Sequence, residues 1–173
     1  MNFKPVFQVI ARLMAVVGLL MGLCGLVSFL YGEPPSAWGA LACAGAGTFA
    51  VSTAVWASTR HPPELTRRDG LGVVAFGWLL AGLAGALPYV LSGVIVSPVG
   101  AVFETMSGLT TTGASVIPVL EGVPKGILLW RATTHLLGGM GILVLVVAIL
   151  PFAGVGGMQL FRAEMAGPTK ERI

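Results

Sequence analysis

Phe103-Glu-Thr-Met-Ser-Gly-Leu-Thr-Thr-Thr-Gly-Ala-Ser-Val-Ile117 lies between two long apolar segments and belongs to neither. Residues from about Val99 to Leu109 suit a helix. Thr110 to Ser115 then supply only threonines, a glycine and two small residues. At about 1.5 Å per residue such a helix covers roughly half of a hydrocarbon core about 30 Å thick. A short helix that halts in a Thr/Gly turn between two spans has the pattern of a re-entrant loop. Irregular backbone at membrane depth is tolerated only where protein buries it or where it lines a watery path. The stretch therefore predicts a pore helix followed by a pore wall, Thr110 to Ser115.

The composition agrees with a membrane setting. Of the 173 residues 55% are hydrophobic and 10% charged, where soluble domains carry about 25% charged residues. Mean hydropathy is +0.91. The expected class is an all-α integral membrane protein, with the lipid membrane as its surroundings and no room for a sizeable soluble domain. A formal charge of +3 is too small to point to nucleic acid. Cys24 and Cys43 both sit in apolar runs and read as small packing residues, not as a disulfide framework or a zinc site.

Working outward, the third span runs from about Leu71 to Leu91, with Pro88 placed to kink or stop it. Ser92 to Pro98 is a turn, and Pro98 suits the first turn of the pore helix. On the other side Pro118 to Pro124 is punctuation, and the fourth span covers about Lys125 to Leu150. Gly138-Gly-Met-Gly141 sits near its middle; Pro151 and Gly154-Val-Gly-Gly157 interrupt or end it. Toward the N-terminus, Leu13 to Tyr31 is an apolar run of about 19 residues, enough to cross a bilayer. It is longer than the core of a signal peptide and Ser28-Phe-Leu-Tyr31 is a poor cleavage site. Gly18 and Gly22 form a small-xxx-small face. Gly32 to Ser36 is a turn, Ala37 to Ser58 a second span, and Arg60 to Asp69 a basic loop in which His61 reads as a solvated histidine. The chain thus divides into 1–69, two N-terminal transmembrane helices and a cytoplasmic basic loop; 70–158, a single helix–pore loop–helix repeat; and 159–173, a cytoplasmic tail.

Orientation follows from lysine and arginine, which favour the cytoplasmic side. With the N-terminus inside, Lys4, Arg12, Arg60, Arg67, Arg68, Arg162, Lys170 and Arg172 are cytoplasmic, and only Lys125 and Arg131 lie on the outer side. The mouth of the re-entrant loop then faces outward.

A potassium ion gives up water only if oxygens replace it, and filters supply backbone carbonyls for the purpose. Carbonyls of consecutive residues align only where the backbone leaves helix and strand geometry, a freedom Gly113 supplies. Thr111 and Thr112 add carbonyls for the ion and hydroxyls for support, so potassium is expected at Thr111 and Thr112, with Gly113 completing the filter. The pore helix would turn its negative C-terminal end toward the cation. Thr-Thr-Gly alone also fits an ordinary turn; the order span, short helix, Thr-Thr-Gly, span favours the filter. Glu104 and Arg131 are the deepest charges in the outer half, and intramembrane charges pair or face water. They are expected to form a structural pair joining the pore helix to the fourth span. His135, one turn beyond Arg131 on the same face, reads as a packed, hydrogen-bonded histidine. No complete phosphate loop, zinc motif or nucleophile elbow is present, so an enzyme is not expected.

These residues resemble the TrkH/TrkG potassium-uptake proteins of the Trk/Ktr/HKT superfamily. The resemblance covers nearly the whole chain. Its most specific parts are Phe103 to Ala114, Gly138-Gly-Met-Gly-Ile142, Ala148-Ile-Leu-Pro151 and Gly156 to Met165. It implies two extra helices ahead of a helix–pore loop–helix repeat, with four such repeats around one pore. Thr111, Thr112 and Gly113 match the first repeat's filter positions. It also implies potassium uptake across the bacterial inner membrane as a pore-forming subunit, assembly with a second copy or a full-length homologue, and a cytoplasmic nucleotide-binding regulatory subunit. With one repeat visible, the chain is expected to be a fragment holding one of the four filter repeats. The alternative is a non-conducting fragment or assembly partner of a full-length homologue.

Overall fold

A computed structural model describes residues 3–59 and 67–149, and every regular element among them is an α-helix. The helices are α1 (Phe3–Leu30), α2 (Pro35–Ser58), α3 (Arg67–Leu91), α4 (Pro98–Leu109) and α5 (Lys125–Ile149). The expectations for His61 and its loop, for Pro151 and Gly154 to Gly157, and for the tail lie outside the described residues. The chain divides within α5, where Met140–Ile173 forms a second unit. Every contact described below belongs to the first, Met1–Gly139.

Three of the described helices, α1, α2 and α3, are long and apolar enough to cross a membrane. α1 starts at Phe3, well before the apolar run that opens at Leu13. Its early turns are mixed in composition, but Val6, Ile10 and Met14 fall at helical spacing and are buried, so burial of one stripe carries the helix past its most apolar part. α2 begins with Pro34 as N-cap and proline in its first turn, where a missing N–H costs nothing.

α3 also begins earlier than hydropathy suggests. Arg67 to Asp69 form its first turn instead of ending a loop, and Asp69 is fully buried there, an acid at the positive end of the helix dipole. Pro88 does not stop the helix, which continues to Leu91. It lies in the last turn, and the chain leaves by Ser92 N donating to Pro88 O at 3.0 Å and Ile95 N to Tyr89 O at 3.2 Å.

Glycines set the closest approaches. A Cβ on Gly18 would stand 2.8 Å from Gly45 O, and one on Gly45 would stand 2.7 Å from Gly18 O. α1 and α2 therefore meet backbone to backbone. In lipid this kind of contact drives helix association, since no hydrophobic force acts between helices. Gly22 has no neighbour for a Cβ, but its backbone N lies 2.9 Å from the Cβ position of Gly45. One apolar cluster joins α1 (Val6, Ile10, Met21), α2 (Leu41, Ala44), α3 (Ala86, Tyr89), α4 (Ala101) and α5 (Ile127, Trp130). Trp130 is buried, and its indole Nε1 donates to Gly85 O at 3.0 Å.

Candidate functional site

The site is built on α4. Ser97 caps it, its hydroxyl accepting from Gly100 N at 3.3 Å, and Pro98 opens the first turn. At 12 residues and about 1.5 Å per residue, α4 is far too short to span a bilayer. Its buried face is Ala101, Glu104, Thr105 and Gly108, with Ser107 and Leu109 beside it. That spacing is an ordinary helical stripe, but its polar members need partners. Thr105 Oγ1 donates to Ala101 O at 2.9 Å, and Ser107 Oγ donates across the turn to Ala114 O at 2.6 Å.

The C-terminus of α4 closes in a left-handed turn. Thr111 N donates to Gly108 O at 2.9 Å and Thr112 N to Ser107 O at 3.0 Å. These are the two bonds of a Schellman motif, which places the residue after the C-cap in the left-handed region. Glycine normally fills that position. Here it is Thr111, at φ +57°, the one non-glycine residue with positive φ among those described. A β-branched residue there is strained, and such strain persists only where the surroundings enforce it. Gly113 follows at φ +78°. Thr112 Oγ1 lies 2.9 Å from Thr110 Oγ1, so its hydroxyl is used within the turn. Thr110 through Val116 are all exposed on this chain.

Glu104 holds the far side of the loop. The residue is 1% exposed, yet its carboxylate is fully occupied. Oε1 accepts from Arg131 Nε at 2.7 Å and from Ser115 Oγ at 3.0 Å, while Oε2 accepts from Val116 N at 2.8 Å. Ser115 Oγ in turn accepts from Ile117 N at 3.1 Å. The loop is thus tied at its start by the α4 carbonyls and at its end by Glu104. The ties to Ser115 and Val116 were not legible in the sequence, because they depend on how the loop returns. Tyr89 is fully buried, and among the described residues its hydroxyl has no partner at hydrogen-bond geometry.

α5 packs against α4 through small residues. A Cβ on Gly108 would stand 2.2 Å from Thr134 Oγ1, and one on Gly138 would stand 2.1 Å from Leu109 O. His135 Nδ1 lies 2.9 Å from Arg131 O, a bond within its own helix. Cys24 is buried and Cys43 exposed, and both are free.

A further acid acts at the N-terminus of α5. Glu33, in the α1–α2 turn, accepts from the backbone N–H groups of Lys125 and Gly126 and from Ser28 Oγ. It caps a helix that begins 92 residues later in the chain. The signal available in the sequence was negative: Pro124 offers no capping side chain, and the first turn of α5 has no acid. Partial burial pushes the Glu33 carboxyl up, but the Ser28 hydroxyl, the two N–H groups and the Lys125 charge outweigh it and hold it below the usual carboxylate range. Lys125 Nζ also lies 4.3 Å above the Tyr31 ring.

Residues 40–173 match the family model described as TrkH, cation transport protein. The chain belongs to that family. It is 41% identical over 173 residues to the Trk system potassium uptake protein TrkH of Halomonas elongata, covering 99% of this chain and 36% of the relative. With the protein of that name from Escherichia coli K12 identity is 39%, over 99% of this chain and 35% of the other. The crystal structure of the potassium transporter TrkH from Vibrio parahaemolyticus superposes with a TM-score of 0.82 at 36% identity, covering 91% of this chain and 34% of that one. The chain therefore spans about a third of the length of the TrkH relatives it matches. These relatives are named as transport proteins, not as enzymes.

Proposed function

We propose that the chain serves potassium uptake across the bacterial inner membrane by lining part of an ion path with Thr110 to Ser115. The observation that carries this reading is the exposed loop at the end of a helix too short to span, strained at Thr111 and fixed at both ends. Thr111, Thr112 and Gly113 form its contribution to a filter, with potassium held at Thr111 and Thr112 by carbonyl oxygens that replace its water. The left-handed backbone at Thr111 and Gly113 supports this, because it takes successive peptide groups out of helical alignment. Glu104 and Arg131 keep the loop in place.

In this reading α4 is a re-entrant pore helix, α5 a fourth transmembrane helix, and the N-terminus cytoplasmic. The lysine and arginine distribution supports that orientation. The segments 1–69, 70–158 and 159–173 act as two leading helices and a basic loop, a pore repeat, and a cytoplasmic tail. The relatives' name, Trk system potassium uptake protein, supports potassium as the ion carried; a second copy or a full-length homologue, and a cytoplasmic nucleotide-binding regulatory subunit, are the partners this reading expects.

A second reading is a non-conducting assembly partner. Exposure of Thr110 through Val116 favours it, since a carbonyl cage needs oxygens from several sides and this chain offers one. The test is rubidium or potassium uptake in cells lacking their own uptake systems. Uptake on expressing the chain alone favours conduction; uptake that changes only when a full-length homologue is co-expressed favours partnership; no effect in either case contradicts both.

A further inference from the structure

We infer that Glu33, in the turn between α1 and α2, is a positioning residue for the 110–116 loop, acting through α5 and Arg131. The inference rests on reading that loop as the wall of an ion path.

The chain of contacts is continuous. Glu33 Oε2 accepts from Gly126 N at 3.1 Å and from Ser28 Oγ at 2.5 Å, and Glu33 Oε1 accepts from Lys125 N. The first N–H groups of a helix have no partner within it. A carboxylate placed there both satisfies them and complements the helix dipole. Glu33 therefore fixes α5 along its axis and against α1. A Cβ on Gly126 would stand 2.4 Å from Ser28 Cβ and 3.1 Å from Cys24 O, so the start of α5 already lies close against α1 at this point. Fewer than two turns further on, Arg131 Nε reaches Glu104 Oε1 at 2.7 Å. Glu104 then holds Val116 N at 2.8 Å and Ser115 Oγ at 3.0 Å. A helix shifted by even an ångström at its start carries Arg131 out of the narrow distance range of a charged hydrogen bond. Glu104 would then be buried without its counter-charge.

The arrangement gives α1 and α2 a task in the outer half. They lie outside the helix–loop–helix segment, yet their connecting turn anchors the helix that carries the loop's counter-charge. Lys125 is the charged group facing Glu33 from α5, with its ammonium over Tyr31 from the same turn.

Amide hydrogen exchange of the chain in lipid tests this without requiring conduction. Its failure is thus distinct from failure of the filter reading, which is tested by selectivity. The variants are Glu33→Ala, Arg131→Gln and both together. In Glu33→Ala the Gly126 N–H should exchange several-fold faster, as the lost cap requires. The Val116 N–H should also speed up several-fold, while Thr112 N–H, bonded to Ser107 O and not to Glu104, stays unchanged. In the double variant Val116 should exchange no faster than in Arg131→Gln alone, because both changes break one path. Unchanged Val116 exchange in Glu33→Ala overturns the inference. So does a parallel rise at Val116 and Thr112, which marks general loosening, or rates that multiply in the double variant. Glu33→Gln, which keeps one acceptor oxygen, should fall between Glu33→Ala and the parent at both Gly126 and Val116.

Discussion

Glu104 and Arg131 meet at 2.7 Å, and the same carboxylate binds the backbone N–H of Val116 at 2.8 Å. One buried acid thus joins a helix too short to span, the long helix beside it, and the loop between them. Removing one partner of a buried ion pair costs about 3 to 5 kcal/mol, because the other charge is left uncompensated. Arg131 keeps 22% of its side chain exposed, so the cost here belongs at the low end. Glu104→Gln should lower the thermal unfolding midpoint in detergent, and adding Arg131→Gln should recover part of the loss. Simple additivity of the two changes would mean that they do not interact.

The α4–α5 seam should respond to methyl groups in a set order. At Gly138 a Cβ meets the backbone of Leu109 at 2.1 Å, whereas at Gly108 it meets the Thr134 side chain at 2.2 Å. A side chain can turn aside and a helix backbone cannot. Overpacking typically costs about 1 to 3 kcal/mol. Gly138→Ala should sit at the upper end and Gly108→Ala lower, both acting on stability more than on ion selectivity. Equal unfolding midpoints for the two variants and the parent would show that the helices are further apart than described.

Thr111 offers a test in the opposite direction. A left-handed conformation costs an ordinary residue roughly 1 to 2 kcal/mol, and glycine escapes it at some expense in chain entropy. Thr111→Gly should leave the unfolding midpoint unchanged or raise it, while the looser loop discriminates less well between potassium and sodium. A clear fall in the midpoint would mean that the threonine side chain contributes more to stability than its backbone strain removes.

Acid should act on Glu33 with a definite sign. Its carboxyl is held below the usual range in the folded chain, whose ordinary value is about 4.3. The stability it contributes is therefore fully present above that ordinary value and lost as pH falls through the lower folded one. Comparing unfolding midpoints of the parent and Glu33→Gln, the gap should be constant near neutrality and shrink below about pH 4. A gap that widens toward low pH would contradict the cap.

Topology follows from charge. Reporters fused after Ser36 and after Glu121 should read as external, and one after Thr59 as cytoplasmic. An external reading after Thr59 would reverse the orientation and turn the loop toward the cell interior.

Much of the helical layout was legible, because apolar runs bounded by proline and glycine leave few alternatives in lipid. The starts of α1 and α3 were not. α1 and α3 extend beyond their apolar cores, where burial of Val6, Ile10 and Asp69 decides and hydropathy does not. Glu104 and Arg131 stood out as charges in apolar surroundings. The left-handed backbone of Thr111 did not, since glycine is the residue usually searched for in left-handed turns, and Gly113 drew the attention. Glu33 could not be linked to Lys125 from the sequence, because their meeting depends on how three helices pack. Its sole trace was a long helix with no cap of its own.

Gly113 gives the most direct measurement. It has φ +78°, and a Cβ there would meet nothing within 4 Å in this chain. A serine would thus leave packing within the chain alone and act through backbone strain and through whatever occupies the open side. Gly113→Ser, made here and at the matching glycine of a full-length relative, should lower potassium-over-sodium selectivity in uptake assays with protein levels nearly unchanged. Thr112→Ala should act more mildly, because the carbonyl survives. Unchanged selectivity in Gly113→Ser at normal protein levels would remove Thr111 to Gly113 from the ion path and leave an ordinary turn held by Glu104.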